Sequence, residues 1–234
     1  MTSHYPRPEL LAETDWLAQH MNDANLRVVD CDEFPAYQRL HIPGAIGLKV
    51  HHYLKDPERP DHLMPPAMFE EVMSAHGIGS DTLVVAYDGS GGLYAARLWW
   101  ALDYYGHTSC KVLNGGFHKW RDEGRPLTRE QPHIESARFR VRPGRDCLCT
   151  IDELKDAAGR EGVVIWDVRS RAENTGEDPR QNKRGGHIPG AVHLEWLHLT
   201  VSPPERSGLL LVAEEIRRRL ASVGITPEKQ VLAH

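Results

Sequence analysis

The chain has 234 residues, of which 40% are apolar, and a formal net charge of -5 from 28 basic and 33 acidic side chains. This length suits one large domain or two of ordinary size, and the apolar fraction is sufficient for well-formed cores. The two signs of charge are interspersed, so there is no broad cationic field, which excludes nucleic acid and anionic membranes as partners. Any site for an anion must therefore be local.

The N-terminal residues and the cysteines predict a cytoplasmic protein. The stretch MTSHYPRPELLAETDW has no basic region followed by an apolar one, and no run approaches the roughly 18 apolar residues of a membrane span. The cysteines are too few and too scattered for a disulfide framework; they are Cys31, Cys110, Cys147 and Cys149. Cys147 and Cys149 stand close together without a second pair at ligand spacing, so no metal site is predicted.

The first half of the chain alternates predicted helices with short apolar strands. Asp15–Asp30 predicts a short helix, a turn and a buried strand that ends in an aspartate. Phe69–Tyr87 predicts an amphipathic helix, a turn and an apolar strand. The glycine-rich loop Asp88–Gly92 comes next, and then an apolar helix over Leu93–Tyr104, a strand around Val112 and a last short helix. A strand, a glycine loop and a helix N-terminus in this order point backbone N–H groups at an anion.

The second half of the chain repeats the first. The motif HIPGA at His41–Ala45 recurs at His187–Ala191, a shift of 146 residues. Asp152–Asp167 aligns with the first helix and strand at a shift of 137, and Ile216–His234 aligns with the second helix and strand at a shift of 147. Nine extra residues lie between the strand-ending aspartate and HIPG in the second copy. The chain is therefore a tandem repeat.

Helices that alternate with short apolar strands indicate an α/β fold, in which each repeat forms a parallel sheet flanked by helices. The polar segment between the repeats contains three prolines, which is typical of a linker. The predicted organisation is a first domain over residues 11–125, a linker over 126–146 and a second domain over 147–234. Thr150 and Glu153 have the spacing of a capping box, which predicts a helix start at the beginning of the second domain.

The repeat also predicts the elements that come after the last strand. In the first copy the residue directly after the strand is Asp88, and a loop, a helix, a strand and a helix come next. The equivalent position in the second copy is the residue after His234. By repeat symmetry we expect about 40 further residues there, so the second domain is expected to be incomplete at its C-terminus in this sequence.

Several motifs occur together in the chain. They are the paired HIPGA, the strand-ending Asp30 and Asp167, LNGGFHKW at the close of the first copy, and DVRSRAENTG with GGHIPGAVHLEW in the second. In combination they resemble two-domain sulfurtransferases of the rhodanese type, and the resemblance extends from about Leu11 to His234. The combination is specific, whereas HIPGA alone is only moderately so.

The resemblance implies two tandem rhodanese-like domains with a single catalytic centre. In this family the N-terminal domain is inactive and carries an aspartate at the nucleophile position, where this chain has Asp88. The C-terminal domain carries a cysteine directly after the strand that ends here in VLAH. By this resemblance, the 234 residues are expected to include no catalytic nucleophile, and the cysteine is expected immediately after His234. By itself this sequence is expected to be inactive, and the implied reaction needs no metal or organic cofactor.

Sulfur transfer of this kind proceeds through a cysteine persulfide. The thiolate attacks the outer sulfur of a donor such as thiosulfate, holds it, and yields it to cyanide or another thiol. Loop N–H groups at a helix N-terminus lower the pKa of such a thiol without a general base. An anionic donor also needs cations nearby, and the nine-residue insertion supplies Arg180, Lys183 and Arg184.

A set of residues in the second copy is predicted to bind the substrate or to order its site: Asp167, Arg171, Arg180, Arg184 and Trp196. By resemblance, Arg171 stands where the family has a substrate-binding arginine, and Arg180 is similar to the second arginine of mercaptopyruvate-type enzymes. Trp196 resembles an aromatic wall near the family's pocket. Asp167 either orders the loop by holding Arg169 or Arg171, or only ends its strand. The alternative for the basic residues is a solvated surface loop, because acidic residues lie among them.

The sequence therefore predicts a thiosulfate sulfurtransferase whose partners are small sulfur-containing anions and a thiophilic acceptor. HLEW and LASVGITPEKQVLAH are similar to bacterial thiosulfate-using rhodaneses, whereas Arg180 favours 3-mercaptopyruvate as the donor. Two other functions stay open: an inactive rhodanese-like binding module, and a phosphatase-like activity if the cysteine loop is longer. The residue directly after His234 separates the enzyme from the binding module.

Overall fold

The computed structural model describes residues 5–50, 54–59, 62–201 and 208–234. The chain divides into two compact units. The N-terminal unit is built around Arg7–Asp146, and the C-terminal unit around Cys147–Pro204 and Leu210–His234. Both contain parallel strands and helices, so the predicted α/β class with two tandem units is confirmed.

The N-terminal unit alternates strands and helices along the chain. Its strands are β1 (Leu11–Ala12), β2 (Leu26–Asp30), β3 (Ile46–Gly47), β4 (Leu83–Tyr87) and β5 (Cys110–Leu113). Its helices are α1 (Thr14–His20), α2 (Phe34–Arg39), α3 (Pro66–Ala75), α4 (Leu93–Tyr104) and α5 (Gly116–Asp122), with a short 3-10 helix at Pro8–Leu10. The predicted helix at 93–104 has the observed bounds, and it begins after Gly92, whose φ of 93° lies in the left-handed region.

The C-terminal unit repeats the same alternation with fewer elements. Its strands are β6 (Val163–Asp167), β7 (Val192–His193) and β8 (Gln230–Ala233). Its helices are α6 (Ile151–Ala157), α7 (Arg171–Thr175) and α8 (Ala213–Ser222), with a 3-10 helix at Trp196–Leu199. The predicted capping box is confirmed, because the Thr150 side chain accepts the N–H of Glu153 and the Glu153 carboxylate accepts the N–H of Thr150.

The sheet of the N-terminal unit is parallel, with the strand order β1-β5-β4-β2-β3. Helix α4 packs against β4 and β5. The strand β4 has the sequence LVVAY and is buried over its last four residues, because helices cover both faces of such a sheet. Parallel strands place all their carboxyl ends at one edge, and this edge carries Asp30 and Asp88.

The sheet of the C-terminal unit has the order β7-β6-β8, which corresponds to β3-β2-β4 of the first unit. The ladders continue past the strands in the same way. The N–H of Cys31 donates to the carbonyl of Tyr87 at 2.8 Å, and the N–H of Val168 donates to the carbonyl of His234 at 3.1 Å. These two pairs occupy equivalent positions of the repeat, so the repeat in the sequence is a repeat in three dimensions.

The segment predicted as a linker packs along the N-terminal unit. His41 and Thr128 exchange two backbone hydrogen bonds of 2.9 Å, and the N–H of Arg142 donates to Tyr105. Phe139 is only 1% exposed in the core of this unit. Prolines and charges dominate the composition of the segment, while single apolar side chains anchor it. The composition of the segment is therefore typical of a linker, but its Phe139 side chain belongs to the core of the N-terminal unit.

Within the described ranges, no helix is long and apolar enough to cross a membrane. The same part of the chain contains no group of three or more histidine, cysteine or acidic side chains that could hold a metal ion. Cys31 is 1% exposed in the core of the N-terminal unit.

Candidate active site

In the N-terminal unit, the loop after β4 closes around the carboxylate of Asp88. One oxygen of Asp88 accepts the backbone N–H groups of Ser90 and Gly92, and the other accepts those of Tyr94 and Ala95, all at 2.8 Å. The last two donors belong to the first turn of α4, where N–H groups have no partner within the helix. The predicted anion-binding loop is thus confirmed, with the side chain of Asp88 as its anion.

Two more carboxylates lie beside this loop. Asp30 is 2% exposed at the end of β2 and accepts the N–H of Asp32. Asp32 accepts the N–H of Gly89 at 2.6 Å. Burial raises the pKa of Asp30 to about 7, against the opposing effect of its hydrogen bond with Tyr87, and the charges of Asp32 and Asp88 add to the rise. This edge of the N-terminal sheet repels further anions.

In the C-terminal unit, the equivalent edge is organised by an ion pair. Asp167 is fully buried at the end of β6, and Arg169 donates Nε to one carboxylate oxygen at 2.9 Å and Nη2 to the other at 2.7 Å. Asn174 donates a third side-chain hydrogen bond at 2.9 Å. Burial favours the neutral acid, but these hydrogen bonds outweigh it and hold the pKa of Asp167 below its usual range. Asp167 therefore holds Arg169, the first of the two arginines that the sequence proposes.

The two units differ in charge at one equivalent position. Asp32 aligns with Arg169 at the shift of 137 that relates the strands. The first unit therefore surrounds its loop with carboxylates, whereas the second places a guanidinium there. Arg169 also donates to the carbonyl of Gly186 at 2.9 Å, which ties the ion pair to the inserted loop. A cation at the carboxyl edge of the sheet suits an anionic substrate, and a carboxylate does not.

The inserted loop is held by helix α7. The Ser170 side chain caps this helix and forms a second capping box with Glu173. The carboxylate of Glu173 also pairs with Arg180, with Oε1 to Nε at 3.2 Å. Arg180 has a φ of 52° and a second acidic partner in Asp178 at 3.4 Å. Arg180 is thus tied to the acidic residues of its own loop.

The ends of the loop meet at two glycines. Gly176 terminates α7 with a φ of 85°, a conformation that favours glycine. A Cβ on Gly185 would stand 2.8 Å from the Cα of Gly176, closer than such atoms approach in proteins. The backbones can therefore touch only because both residues lack side chains.

A cleft of about 650 Å³ lies between this loop and the end of β8. Its lining includes Arg169, Lys183, Arg184, His187 and His234. Lys183 and Arg184 are exposed at its wall. The ladder bond from the N–H of His234 to Trp166 brings β8 to the cleft. The cleft therefore combines a cationic wall with the carboxyl end of a parallel strand, where α/β proteins bind ligands.

The predicted substrate-binding residues occupy different places in this geometry. Arg184 lines the cleft, and Asp167 lies beneath Arg169. Arg171 is exposed at the start of α7, outside the cleft lining, and Arg180 is paired with Glu173. Trp196 is half-buried at the start of the 3-10 helix, and its backbone N–H donates to the carbonyl of Val168 at 3.0 Å. Their roles toward a substrate stay predictions.

Two contacts had not been predicted from the sequence. Nδ1 of His187 donates to the carbonyl of Asn174 at 2.9 Å, and Nε2 of His193 donates to the carbonyl of Arg169 at 2.9 Å. The first has a close counterpart, because Nδ1 of His41 lies 2.8 Å from the carbonyl of Tyr37, which aligns with Asn174. The repeated HIPGA motif is the signal that could have revealed it: its histidine fastens the chain to the preceding helix.

Parallel sheets, an internal repeat and an anion loop at a sheet edge define a tandem α/β protein, and its C-terminal unit has a cationic cleft. The model of the Rhodanese-like domain matches residues 13–123 and 150–232. The chain therefore belongs to the rhodanese-type sulfurtransferase family.

Curated relatives align with nearly the whole chain. The sulfur carrier protein TtuD of Thermus thermophilus is 35% identical over 247 residues, which cover 98% of this chain and 83% of that protein. The thiosulfate sulfurtransferase of Azotobacter vinelandii is 33% identical, covering 96% of this chain and 82% of that protein. These similarities support a sulfurtransferase.

The solved structure of SseA from Escherichia coli shares the fold. It is described as a 3-mercaptopyruvate sulfotransferase of the rhodanese fold, and it superposes with a TM-score of 0.83 at 24% identity. The alignment covers 96% of this chain and 87% of SseA. At this identity the likeness shows the fold alone.

Proposed function

We propose that the protein is a thiosulfate sulfurtransferase that carries sulfane sulfur as a cysteine persulfide. The nucleophile is the residue directly after His234, at the position that Asp88 occupies in the first unit. The observation that carries the proposal is the cationic cleft at the end of β8, lined by Arg169, Lys183 and Arg184. Its electrostatics favour a small anion and a thiolate.

The loop around Asp88 supports the persulfide step. Four backbone N–H groups bind one carboxylate there, at 2.8 Å each. A loop of the same kind after β8 would surround a thiolate or a persulfide with donors, which lowers the pKa of the thiol without a general base. The thiolate attacks the outer sulfur of thiosulfate, sulfite leaves, and the persulfide then yields its sulfur to cyanide or a thiol.

The binding residues take distinct roles in this proposal. Arg184, together with Lys183, attracts the donor at the wall of the cleft. Asp167 orients Arg169 rather than contacting the donor itself. Arg180 orders the inserted loop through Glu173. Arg171 and Trp196 contribute to binding from the rim, and no metal or organic cofactor takes part.

Thiosulfate is the preferred donor because the cleft wall offers two adjacent cations to a dianion. The name of the Azotobacter relative supports the same donor. The alternative donor is 3-mercaptopyruvate, which Arg180 favours. The pairing of Arg180 with Glu173 weighs against it, because that guanidinium already has an acidic partner.

The acceptor and the location belong to the same proposal. Cyanide or a small thiol can approach a cleft this open, and the name of the Thermus relative points to a sulfur carrier. The cytoplasm is proposed from the scattered cysteines. A third candidate, an inactive binding module, requires a residue other than cysteine directly after His234.

The decisive test is an intact-mass measurement on the reduced protein, read against its gene, with and without thiosulfate. A gain of about 32 Da that cyanide removes would establish covalent carriage of one sulfur. Rates with thiosulfate and 3-mercaptopyruvate then identify the donor. A protein with cysteine after His234 that gains no mass and turns over neither donor would refute the proposal.

A further inference from the structure

The four cysteines fall into two groups by accessibility. Cys31 and Cys110 are 1% and 3% exposed in the N-terminal unit, and burial raises the pKa of both thiols. Cys149 is exposed and Cys147 is half-buried. Both lie at the start of the C-terminal unit. A reagent in solution therefore meets accessible thiols at Cys147 and Cys149.

The backbone between these two thiols lies outside regular secondary structure. No helix or strand includes residues 143–149, and Leu148, the intervening residue, is 47% exposed. Consecutive Cα atoms lie about 3.8 Å apart, so those of Cys147 and Cys149 are separated by at most about 7.6 Å. A disulfide requires roughly 4.4–6.8 Å. A modest bend at Leu148 reaches this range without disturbing a core or a ladder.

We propose that Cys147 and Cys149 form a dithiol that accepts sulfane sulfur from a low-molecular-weight persulfide and releases it as sulfide. The exposed Cys149 thiolate attacks the outer sulfur of the donor, whose S–S bond breaks, and the donor leaves as a thiol. Cys147 then attacks the Sγ of Cys149, expels HS⁻ and closes a disulfide. The sulfane sulfur gains two electrons, the two thiols lose them, and their protons go to the departing thiolate and sulfide.

The order of attack is set by exposure. A donor in solution reaches the exposed Cys149 first, and the half-buried Cys147 acts as the resolving thiol. Partial burial and the charge of Glu153 raise the pKa of Cys149. Sulfide release is therefore expected to accelerate as the pH rises, because the thiolate is the attacking species. This step goes beyond the proposed sulfurtransferase reaction and does not use the nucleophile proposed after β8.

The test mixes the fully reduced 234-residue chain with glutathione persulfide. We expect about one sulfide released per chain and the loss of about two thiols that react with Ellman's reagent. Peptide mapping is expected to find the new disulfide between Cys147 and Cys149. A wild-type chain that keeps the sulfur as a stable persulfide, or that forms its disulfide elsewhere, would overturn the proposal.

Single variants separate the two roles. Cys147→Ser is expected to gain about 32 Da at Cys149 and to release sulfide at least tenfold more slowly, because the resolving thiol is gone. Cys149→Ser is expected to lose both the mass gain and the release. Cys110→Ala, with its thiol in the core, serves as the control and should release sulfide at the wild-type rate. Sulfide release at the wild-type rate from either serine variant would contradict the dithiol proposal.

A parallel assay keeps this proposal separate from the sulfurtransferase. Thiosulfate and cyanide turnover is measured in the protein that carries the proposed cysteine after His234. Sulfide release without turnover contradicts the sulfurtransferase alone. Turnover without dithiol-dependent release contradicts the dithiol alone.

Discussion

Arg169 donates two hydrogen bonds to the buried carboxylate of Asp167, one from Nε at 2.9 Å and one from Nη2 at 2.7 Å. The acid is fully buried, whereas the guanidinium is 28% exposed and extends toward the cleft. The pair therefore fixes a cation at the edge of the sheet.

We expect Asp167→Asn to destabilise the protein by about 2–3 kcal/mol, because Arg169 loses its charged partner while half-buried. Urea denaturation followed by tryptophan fluorescence measures this loss. Asp152→Asn is the control, since its side chain is 91% exposed. The pKa of Asp167 is lowered by folding, so its stabilisation is present above about pH 4 and is lost as the pH falls through the lowered value. Equal stability of both variants at pH 7 would contradict this account.

Asp88→Ala is expected to cost about 3 kcal/mol, because four backbone N–H donors, of which that of Ala95 is buried, lose their charged acceptor. Thermal unfolding measures the loss, and added sulfate should restore part of it by occupying the loop. Ser90→Ala keeps the backbone donor and removes only a 3.2 Å contact to Asp32, so it should cost about 0.5 kcal/mol. A Tm of Asp88→Ala that equals the wild-type value would show that the loop does not need its anion.

The stability of the N-terminal unit is expected to fall as the pH rises from about 4 to 7. Asp30 has a folded pKa of about 7, chiefly because burial disfavours its charged form. The unfolded chain ionises first, at about pH 4, so each pH unit between the two values costs up to about 1.4 kcal/mol. Asp30→Asn should flatten this dependence.

Urea unfolding at several pH values measures the effect of Asp30. The control is Asp81→Asn, an exposed position of the same unit, which should keep the wild-type slope. Parallel pH curves for the Asp30 variant and the wild type would rule out Asp30 as the source.

Lys183→Ala and Arg184→Ala are each expected to raise the KM for thiosulfate about tenfold in the active protein with little change in kcat. One charge-assisted contact is worth about 1.4 kcal/mol, and it binds the donor before the chemistry begins. Arg218→Ala is the matched control, because this arginine is 72% exposed on α8 and pairs with Glu215. Steady-state kinetics at constant ionic strength measure the KM and kcat of each variant. A KM that changes equally in all three variants would indicate a general charge effect and contradict the prediction.

Local patterns sufficed for much of the fold. The alternation of apolar residues marked β2, β4 and α4, and Thr150 with Glu153 marked the start of α6. These features depend on residues within a few positions of each other. The segment 126–146 was different, because one buried side chain, Phe139, outweighs its polar composition only when the core it enters is known.

In the candidate site, too, some features could be predicted from the sequence and others required the structure. The repeat placed Asp88 at the anion loop and aligned Asp32 with Arg169, so the reversal of charge was readable from the sequence. The sequence left open whether Asp167 holds Arg169 or Arg171, because both are two to four residues away. The geometry selects Arg169, whose Nε and Nη2 reach both carboxylate oxygens, while Arg171 begins the next helix.

The sequence by itself determined the tandem α/β repeat, the family and the equivalence of Tyr87 with His234, because internal repetition and strand periodicity can be read from the order of residues along the chain. Tertiary structure alone decided which cations face the cleft. Lys183 and Arg184 line it, whereas Arg180 turns to Glu173. All three occur in one short basic stretch, and only the path of the backbone, set by the contact of Gly176 with Gly185, separates a binding wall from a surface ion pair.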